Sequence, residues 1–263
     1  MEKLPENNIL YEDNHIIVVN KPINVPVQED SSKDIDLLTL IKNYLKVKYN
    51  KPGNVYLGLV HRLDRPVGGV MVFAKTSKAA SRLSEEVRTN KIKKTYYAVV
   101  HGKVNNTGHL EDYLYKDNKT NTSYVVNKDK GKIAILDYDL INYKDNLSLV
   151  KINLITGRSH QIRVQFSSRG YPLVGDQRYN KNPIKNVSIA LFAKKLEFIH
   201  PTTKELLSFE IELPNRYPFN FFDKKWIFYK VFADLSKNFF IIILEIYNEV
   251  ENIKKRIKII KWC

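Results

Sequence analysis

The feature that most constrains the fold is a series of short, β-rich apolar runs separated by turn signals. Residues 9–20 hold two such runs around Asp13-Asn14, a pattern typical of a hairpin. Residues 104–131 are polar and irregular, with short strand-like pieces such as 123–126. The other runs of strand character lie at residues 55–60, 70–74, 94–100, 133–138, 147–155, 189–199 and 206–213.

Three helices are predicted between these runs. Leucine and isoleucine recur at helical spacing in residues 37–45, after several candidate N-cap residues. A second helix begins at Thr76-Ser77, and a short third helix opens in residues 156–163 and ends near Gly170. Because strands outnumber the scattered helices, the sequence predicts an α+β fold. We expect a mainly antiparallel, mixed sheet with flanking helices and loops.

The end of the chain follows a different pattern. Apolar residues recur there with spacings of 4-3-4-3-4-3, at Phe239, Ile243, Ile246, Val250, Ile253, Ile257 and Ile260. This stripe predicts a helix. The lysines near the end of the stripe would make that helix basic. We therefore expect a main domain at residues 1–223 and a basic, helical extension at residues 224–263. The stripe either packs on its own domain, forms a dimer seam or touches nucleic acid; a monomer is favoured.

The charge of the chain indicates a polyanionic partner. Lys and Arg number 43 against 28 Asp and Glu, a formal net charge of +15. Nucleic acid is the usual partner at such a charge, and an anionic membrane surface or a drift of composition toward Lys, Asn and Ile is the alternative. The single cysteine, Cys263, excludes an internal disulfide. Without a signal sequence or an apolar run of roughly 20 residues, we expect a cytoplasmic protein with no membrane span.

One loop concentrates candidate catalytic residues. Residues 61–69 read HRLDRPVGG and lie between two apolar runs of strand character. Asp64 stands between Arg62 and Arg65, where positive neighbours favour an ionised carboxylate. Strands on both sides would give that carboxylate a rigid mount. The alternative is an Asp-Arg pair that only closes a surface turn.

The chain resembles the RluA-type pseudouridine synthases. The resemblance rests on motifs in the family's order across about residues 9–222. The motifs are ILYEDNHIIVVNKP at residues 9–22, HRLDR at 61–65 with FAK at 73–75, KTYYA at 94–98, LITGRSHQIR at 154–163, GYPLVGD at 170–176 and HP at 200–201.

The resemblance implies a fold and a reaction. Uridine in structured RNA, 23S ribosomal RNA or transfer RNA, becomes pseudouridine in a cleft across the sheet. The C1′–N1 bond breaks, the uracil turns, and C5 joins C1′. No cofactor and no metal are implied, and the sequence has neither a Cys/His ligand cluster nor a phosphate-binding glycine loop.

The resemblance also implies roles for three residues. Asp64 would be the essential carboxylate, acting either on the sugar or as a base. Tyr96 would stack on the uracil, although a strand lets only one of Tyr96 and Tyr97 face the site. Arg163 would pair with Asp64 through a bidentate contact.

Further residues are assigned to RNA binding. Arg62 is the candidate to fill the gap left by a flipped nucleotide. His61 is either an RNA contact or a hydrogen-bonded loop residue, and Arg158 is either a phosphate contact or a solvated charge. The RNA-binding candidates are His61, Arg62, Arg65, Lys94, Arg158 and His160.

The chain departs from the family's pattern at two positions. Gly68 stands where many members have a serine, and Gln165 stands where a histidine is frequent. Both departures put the rigidity of the loop and the choice of substrate in doubt, rather than activity. We also expect no N-terminal S4 RNA-binding domain, so that the basic surface supplies much of the RNA affinity.

Two other functions are alternatives to this one. A catalytically idle RNA chaperone would not need Asp64, Tyr96 and Arg163 together. A glycoside hydrolase usually needs two carboxylates across the scissile bond, and Asp64 has no evident motif-level partner.

Overall fold

A computed structural model describes residues 2–222 of the chain. Within that range the structure has eleven β-strands in one sheet and three α-helices. The strands are β1 (Ile9–Glu12), β2 (Ile16–Lys21), β3 (Gly58–Leu59), β4 (Gly68–Ala74), β5 (Lys93–His101), β6 (Thr107–Asp117), β7 (Thr122–Val126), β8 (Lys132–Lys144), β9 (Leu147–Leu154), β10 (Leu191–Ile199) and β11 (Leu206–Glu210). The helices are α1 (Leu37–Lys48), α2 (Ser77–Arg88) and α3 (Gln161–Ser168).

The strand order is β1-β2-β4-β10-β5-β9-β8-β6-β7, with β3 also paired to β4 and β11 to β10. Every pair is antiparallel except β4 and β10, which run parallel. The predicted α+β fold with a mainly antiparallel, mixed sheet is therefore confirmed.

The helices cover the two faces of the sheet. Residues of α1 and α3 pack with the side chains that β2 turns to one face, such as Ile17. Leu83 of α2 packs with Ile16 and Val18, which β2 turns to the other face. Alternation along a strand explains this division, because neighbouring side chains point to opposite faces.

Local sequence explains where the helices begin. Asp36 accepts a hydrogen bond from the Thr39 N–H at the start of α1, and Thr76 caps α2 by accepting from Ala79. Both helices begin close to where the sequence predicts them.

Two expectations about strands are wrong. Residues 55–60 contain only the two-residue β3, because β4 pairs with β3 at Phe73 and Ala74 alone. Residues 104–131 are not irregular, since they contain β6, a strand of eleven residues. Only Leu110 and Leu114 are fully buried in β6, so its apolar alternation is weak.

The chain divides into two compact units, residues 1–215 and 216–263. All strands and α-helices named above lie in the first unit. In the second, the structure describes Arg216 to Phe222, which include a short 3-10 helix, Phe219–Phe222. The extension predicted at residues 224–263, with its helical stripe, lies outside the described residues. Within residues 2–222, no helix is long and apolar enough to span a membrane.

Candidate active site

A large cleft opens on the sheet face that α3 covers. Its volume is about 1850 Å³, beyond the roughly 300–1,000 Å³ of pockets for small ligands. Basic residues dominate its charged lining: Arg62, Arg65, Arg88, Lys94, Lys116, Arg158, Arg163, Arg178 and Lys185. The acidic lining residues are Glu29, Asp30, Asp64 and Asp176. This excess of positive charge suits a polyanion larger than a single nucleotide.

Asp64 lies in the loop between β3 and β4, at the floor of the cleft. The backbone N–H of Val67 donates to the carbonyl of Asp64 at 2.9 Å, which closes a tight turn. The Asp64 side chain is 27% exposed, so it reaches the cleft without being freely solvated.

The side chain of Lys21 stabilises this loop by hydrogen bonds to backbone carbonyls. Its Nζ donates to the carbonyls of Pro22 (2.9 Å), Arg65 (3.0 Å) and Val67 (2.7 Å). Burial lowers the pKa of Lys21 to about 7, but three carbonyl acceptors use all three hydrogens of an ammonium and favour the charged form. The backbone on either side of Pro66 is thereby held.

Two glycines fix the exit of the loop into β4. A Cβ on Gly69 would lie 2.2 Å from the Ala193 carbonyl oxygen, and its φ of +126° is one that other residues rarely adopt. A Cβ on Gly68 would meet the Lys21 carbonyl oxygen at 3.0 Å. Gly68 lacks the serine hydroxyl that many family members have. At this position the loop is stabilised by close backbone packing and by the hydrogen bonds from Lys21.

Arg163 joins two carboxylates. Its Nη1 donates to Asp64 Oδ2 at 3.0 Å, while Nε and Nη2 donate to the two oxygens of Asp176 at 2.8 Å each. The contact implied between Arg163 and Asp64 is present, but it consists of one hydrogen bond. The bidentate contact is with Asp176, so that part of the prediction is wrong.

Asp176 is completely buried, and hydrogen bonds from Arg163 and from two backbone N–H groups stabilise its carboxylate. Burial alone would raise the pKa of Asp176, but the Arg163 guanidinium and the N–H groups of Arg178 and Tyr179 lower it below its usual range. Burial opposes the charge on Arg163, and the two carboxylates outweigh it and raise the pKa of that guanidinium. The two hydrogen bonds to Asp176 thus fix Arg163 in the position from which it contacts Asp64.

Tyr96 faces the cleft from β5, and Tyr97 does not line it. Burial, and then the negative charge of Asp64, raise the pKa of Tyr96 well above its usual value. Its hydroxyl is therefore protonated at neutral pH, and its ring offers an apolar face. Lys94 lies two residues earlier on the same face of β5 and also lines the cleft, where burial lowers its pKa.

His61 is engaged by the sheet. The Val72 backbone N–H donates to His61 Nε2 at 3.2 Å, in the stretch of β4 that neither β3 nor β10 pairs. Burial, with a smaller contribution from Lys94, lowers the pKa of His61 to about 3, so the ring is neutral. This contact favours the hydrogen-bonded loop alternative for His61, although the residue also lines the cleft.

The two arginines beside Asp64 differ. Arg62 is exposed at the cleft, and among the described residues its side chain makes no hydrogen bond or ion pair. Arg65 donates to the Asn24 carbonyl and pairs with Asp30 at 3.6 Å and with Asp34. Arg65 therefore binds its own chain, while Arg62 is available to a ligand.

Arg158 and His160 lie together before α3. Arg158 Nε donates to the Ile133 carbonyl at 2.8 Å, which directs an exposed guanidinium to the rim of the cleft. His160 Nε2 lies 3.8 Å from Asp64 Oδ2, and its Nδ1 is 2.8 Å from the Tyr179 hydroxyl. His160 therefore lies beside Asp64, and only 8% of its side chain is exposed to a phosphate in the cleft.

Gln165 lies away from the cleft. It is a completely buried residue of α3, and its Nε2 donates to Asp112 Oδ2 at 2.8 Å and shares its other hydrogen between the Leu110 and Ala134 carbonyls at 3.3 and 3.2 Å. The position therefore fastens α3 to β6 and β8. The expectation that Gln165 bears on substrate choice has no support from this placement.

The sequence patterns assign no role to three site residues: Lys21, Asp176 and Tyr179. In those patterns Lys21 only ends a strand, and Asp176 is only part of a loop motif. A lysine directly after an apolar strand, or an aspartate after a glycine, is too common to indicate burial. Nothing in the sequence around Tyr179 marks it.

The arrangement indicates chemistry with one carboxylate. Asp176 is the other carboxylate held by Arg163, but its side chain has no exposed surface, so it cannot flank a sugar bond with Asp64. Among residues 2–222, no cluster of three His, Cys, Asp or Glu side chains is placed to hold a metal. A carboxylate paired with an arginine, an aromatic face and a basic cleft together suit a reaction on a nucleotide within RNA.

Comparisons with known proteins agree with that chemistry. Residues 15–168 match the family model described as RNA pseudouridylate synthase. Ribosomal large subunit pseudouridine synthase D of Zymomonas mobilis is 32% identical over 218 residues, covering 78% of this chain and 69% of the relative. Ribosomal large subunit pseudouridine synthase C of Buchnera aphidicola is 34% identical over 209 residues, covering 76% of this chain and 64% of the relative.

A solved structure has the same fold. Human RNA Pseudouridylate Synthase Domain Containing 4 superposes with a TM-score of 0.66 at 23% identity, covering 79% of this chain and 89% of the human chain. At that identity the likeness speaks for the fold alone.

Proposed function

The chain belongs to the RNA pseudouridylate synthase family, and on that premise we propose that it isomerises specific uridines of structured RNA with Asp64 as the essential carboxylate. The observation that carries the assignment is the ion pair between Asp64 and the anchored Arg163 at the floor of a basic cleft. The reaction exchanges a C1′–N1 bond for a C1′–C5 bond, while C5 loses its proton and N1 gains one, so it needs neither an oxidant nor an energy source.

The geometry supports a division of labour among three residues. Asp64 acts on the sugar or takes a proton from it, and Arg163 orients the carboxylate by donating to Oδ2. Tyr96 stacks on the uracil from β5, with its hydroxyl protonated at neutral pH. Arg62, exposed at the mouth of the cleft, occupies the gap left by the flipped nucleotide.

The surrounding basic residues bind the RNA backbone. Lys94 and Arg158 line the cleft and offer cations to phosphates, and the net charge of +15 adds long-range attraction. Arg65 contributes only after it exchanges Asp30 and Asp34 for phosphate. Because the relatives above are named for the ribosomal large subunit, we propose 23S ribosomal RNA as the first substrate to test and transfer RNA as the second.

Pseudouridine mapping tests the proposal. Pseudouridines would be chemically labelled and sequenced in ribosomal and transfer RNA from cells with and without the gene. We expect at least one pseudouridine to disappear on deletion and to return with the wild-type gene. If the maps of ribosomal and transfer RNA are identical with and without the gene, the proposed function is wrong.

A further inference from the structure

His160 is held in an unusual place and state. It precedes α3 in the left-handed conformation, with φ of 53° and ψ of 21°, and it caps no N–H with its side chain. The side chain is only 8% exposed, and it lines the cleft beside Asp64. Histidine is among the residue types enriched in this conformation, and nine other non-glycine residues of the described chain also have a positive φ.

The Tyr179 hydroxyl contacts Nδ1, the ring nitrogen of His160 that points away from Asp64. The Tyr179 hydroxyl oxygen accepts the Ser123 backbone N–H at 2.7 Å and lies 2.8 Å from His160 Nδ1. Because that oxygen already accepts one N–H, we assign the hydroxyl hydrogen to Nδ1, which places the proton of the neutral ring on Nε2.

The charged groups around the ring keep it neutral. Burial, together with Arg163, Arg178 and Lys116, lowers the pKa of His160 despite the opposing effect of Asp64. His160 Nε2 lies 3.8 Å from Asp64 Oδ2, outside hydrogen-bonding range, and among the described residues it has no other partner. A neutral donor is thus aimed into the cleft beside the carboxylate.

We propose that His160 donates its Nε2–H to the C2 carbonyl oxygen of the target uracil. The proposal rests on the proposed function, in which Asp64 acts at the sugar. When the C1′–N1 bond breaks, its electron pair moves onto the uracil and is shared with the C2 carbonyl oxygen, which is next to the bond. An N–H fixed beside that oxygen stabilises the charge until C5 joins C1′.

Two substitutions separate this role from a structural one. His160→Asn tolerates the left-handed conformation and keeps an oxygen where Nδ1 accepts from Tyr179, but it has no group at the Nε2 position. His160→Gln is worse for that conformation but places an N–H near the Nε2 position. A donor role predicts more activity in H160Q than in H160N, and a structural role predicts the reverse.

The measurement is tritium release under single turnover. RNA labelled with [5-³H]uridine, from cells lacking the gene, is mixed with excess enzyme, so that the maximal rate and the half-saturating enzyme concentration are obtained separately. We expect the maximal rate of H160N to fall about a hundredfold, with half-saturation unchanged within about threefold. Equal rates for wild type and H160N would overturn the inference while leaving the proposed function intact; an inactive wild type would remove both.

A modified substrate tests the atom that is contacted. Sulfur is a poor hydrogen-bond acceptor, so 2-thiouridine at the target position should slow wild type but slow H160N little further. 4-Thiouridine is the matched control and should affect the two enzymes equally. If 2-thiouridine instead slows both enzymes by the same factor, His160 acts only on Asp64 and the proposal is wrong.

Discussion

Arg163 binds two carboxylates of very different exposure, and the difference separates their roles. The Asp176 side chain has no exposed surface and takes two hydrogen bonds from Arg163, whereas Asp64 is 27% exposed and takes one. The buried carboxylate fixes the guanidinium, and the guanidinium fixes the accessible carboxylate. Asp176 therefore positions Arg163, and Asp64 is the carboxylate that a ligand in the cleft can reach.

Replacing Asp176 with asparagine should destabilise the protein by roughly 3–5 kcal/mol, because it leaves a buried guanidinium without its main partner. The pKa of Asp176 is lowered in the folded state, so its contribution is present above the unfolded pKa of about 3.9 and is lost as pH falls through the lower folded value. Urea unfolding should show a gap between wild type and D176N that is constant from about pH 5 to 7 and narrows below about pH 4.

The exposed Asp145→Asn variant is the control for removing a carboxylate, and its unfolding free energy should stay within about 0.5 kcal/mol of wild type. A gap for D176N that widens as pH falls would contradict the assigned role of Asp176.

At the scale of elements, the Asp64 loop depends on the parallel contact between β4 and β10. Gly69 pairs with Ala193 there, and the Lys21 ammonium closes the loop from β2. Gly69→Ala should push these strands apart and cost more than about 3 kcal/mol, since the added carbon meets backbone rather than a flexible side chain.

Gly170→Ala is the matched control for Gly69→Ala. Gly170 also has a positive φ, of +81°, but its added Cβ would have nothing within 4 Å. Only the conformational cost of roughly 1–2 kcal/mol should appear in thermal or urea unfolding. Equal losses in the two variants would show that the approach to β10 does not hold the loop.

Sequence patterns predict the helices and strands better than they predict the side-chain contacts between distant segments. The capped helices and the strands around Tyr96 follow from local signals, but β6 is half exposed and lacks a clear apolar alternation. Asp64 and Arg163 lie 99 residues apart, so only motif resemblance implied their contact. Lys21 and Asp176 have roles only because distant segments bury them, and single-sequence patterns carry no signal for that.

At the scale of the whole molecule, positive charge should make RNA binding depend strongly on salt. Arg158→Ala should weaken binding and reduce the slope of log affinity against log salt by about 1, because one phosphate contact is lost. Lys78→Ala, exposed on α2 and outside the cleft, removes the same charge and should leave the slope nearly unchanged. Identical slopes for R158A and wild type would make Arg158 a solvated charge.

The most direct test of the account is Asp64→Asn, which keeps the shape of the side chain and removes its negative charge. Tritium release from [5-³H]uridine-labelled RNA and the dissociation constant for the same RNA would be measured side by side. We predict no detectable release by D64N and a dissociation constant within about threefold of wild type, since Asp64 makes up little of the basic cleft. Release by D64N at a rate near that of wild type would contradict the central claim that Asp64 is the essential carboxylate.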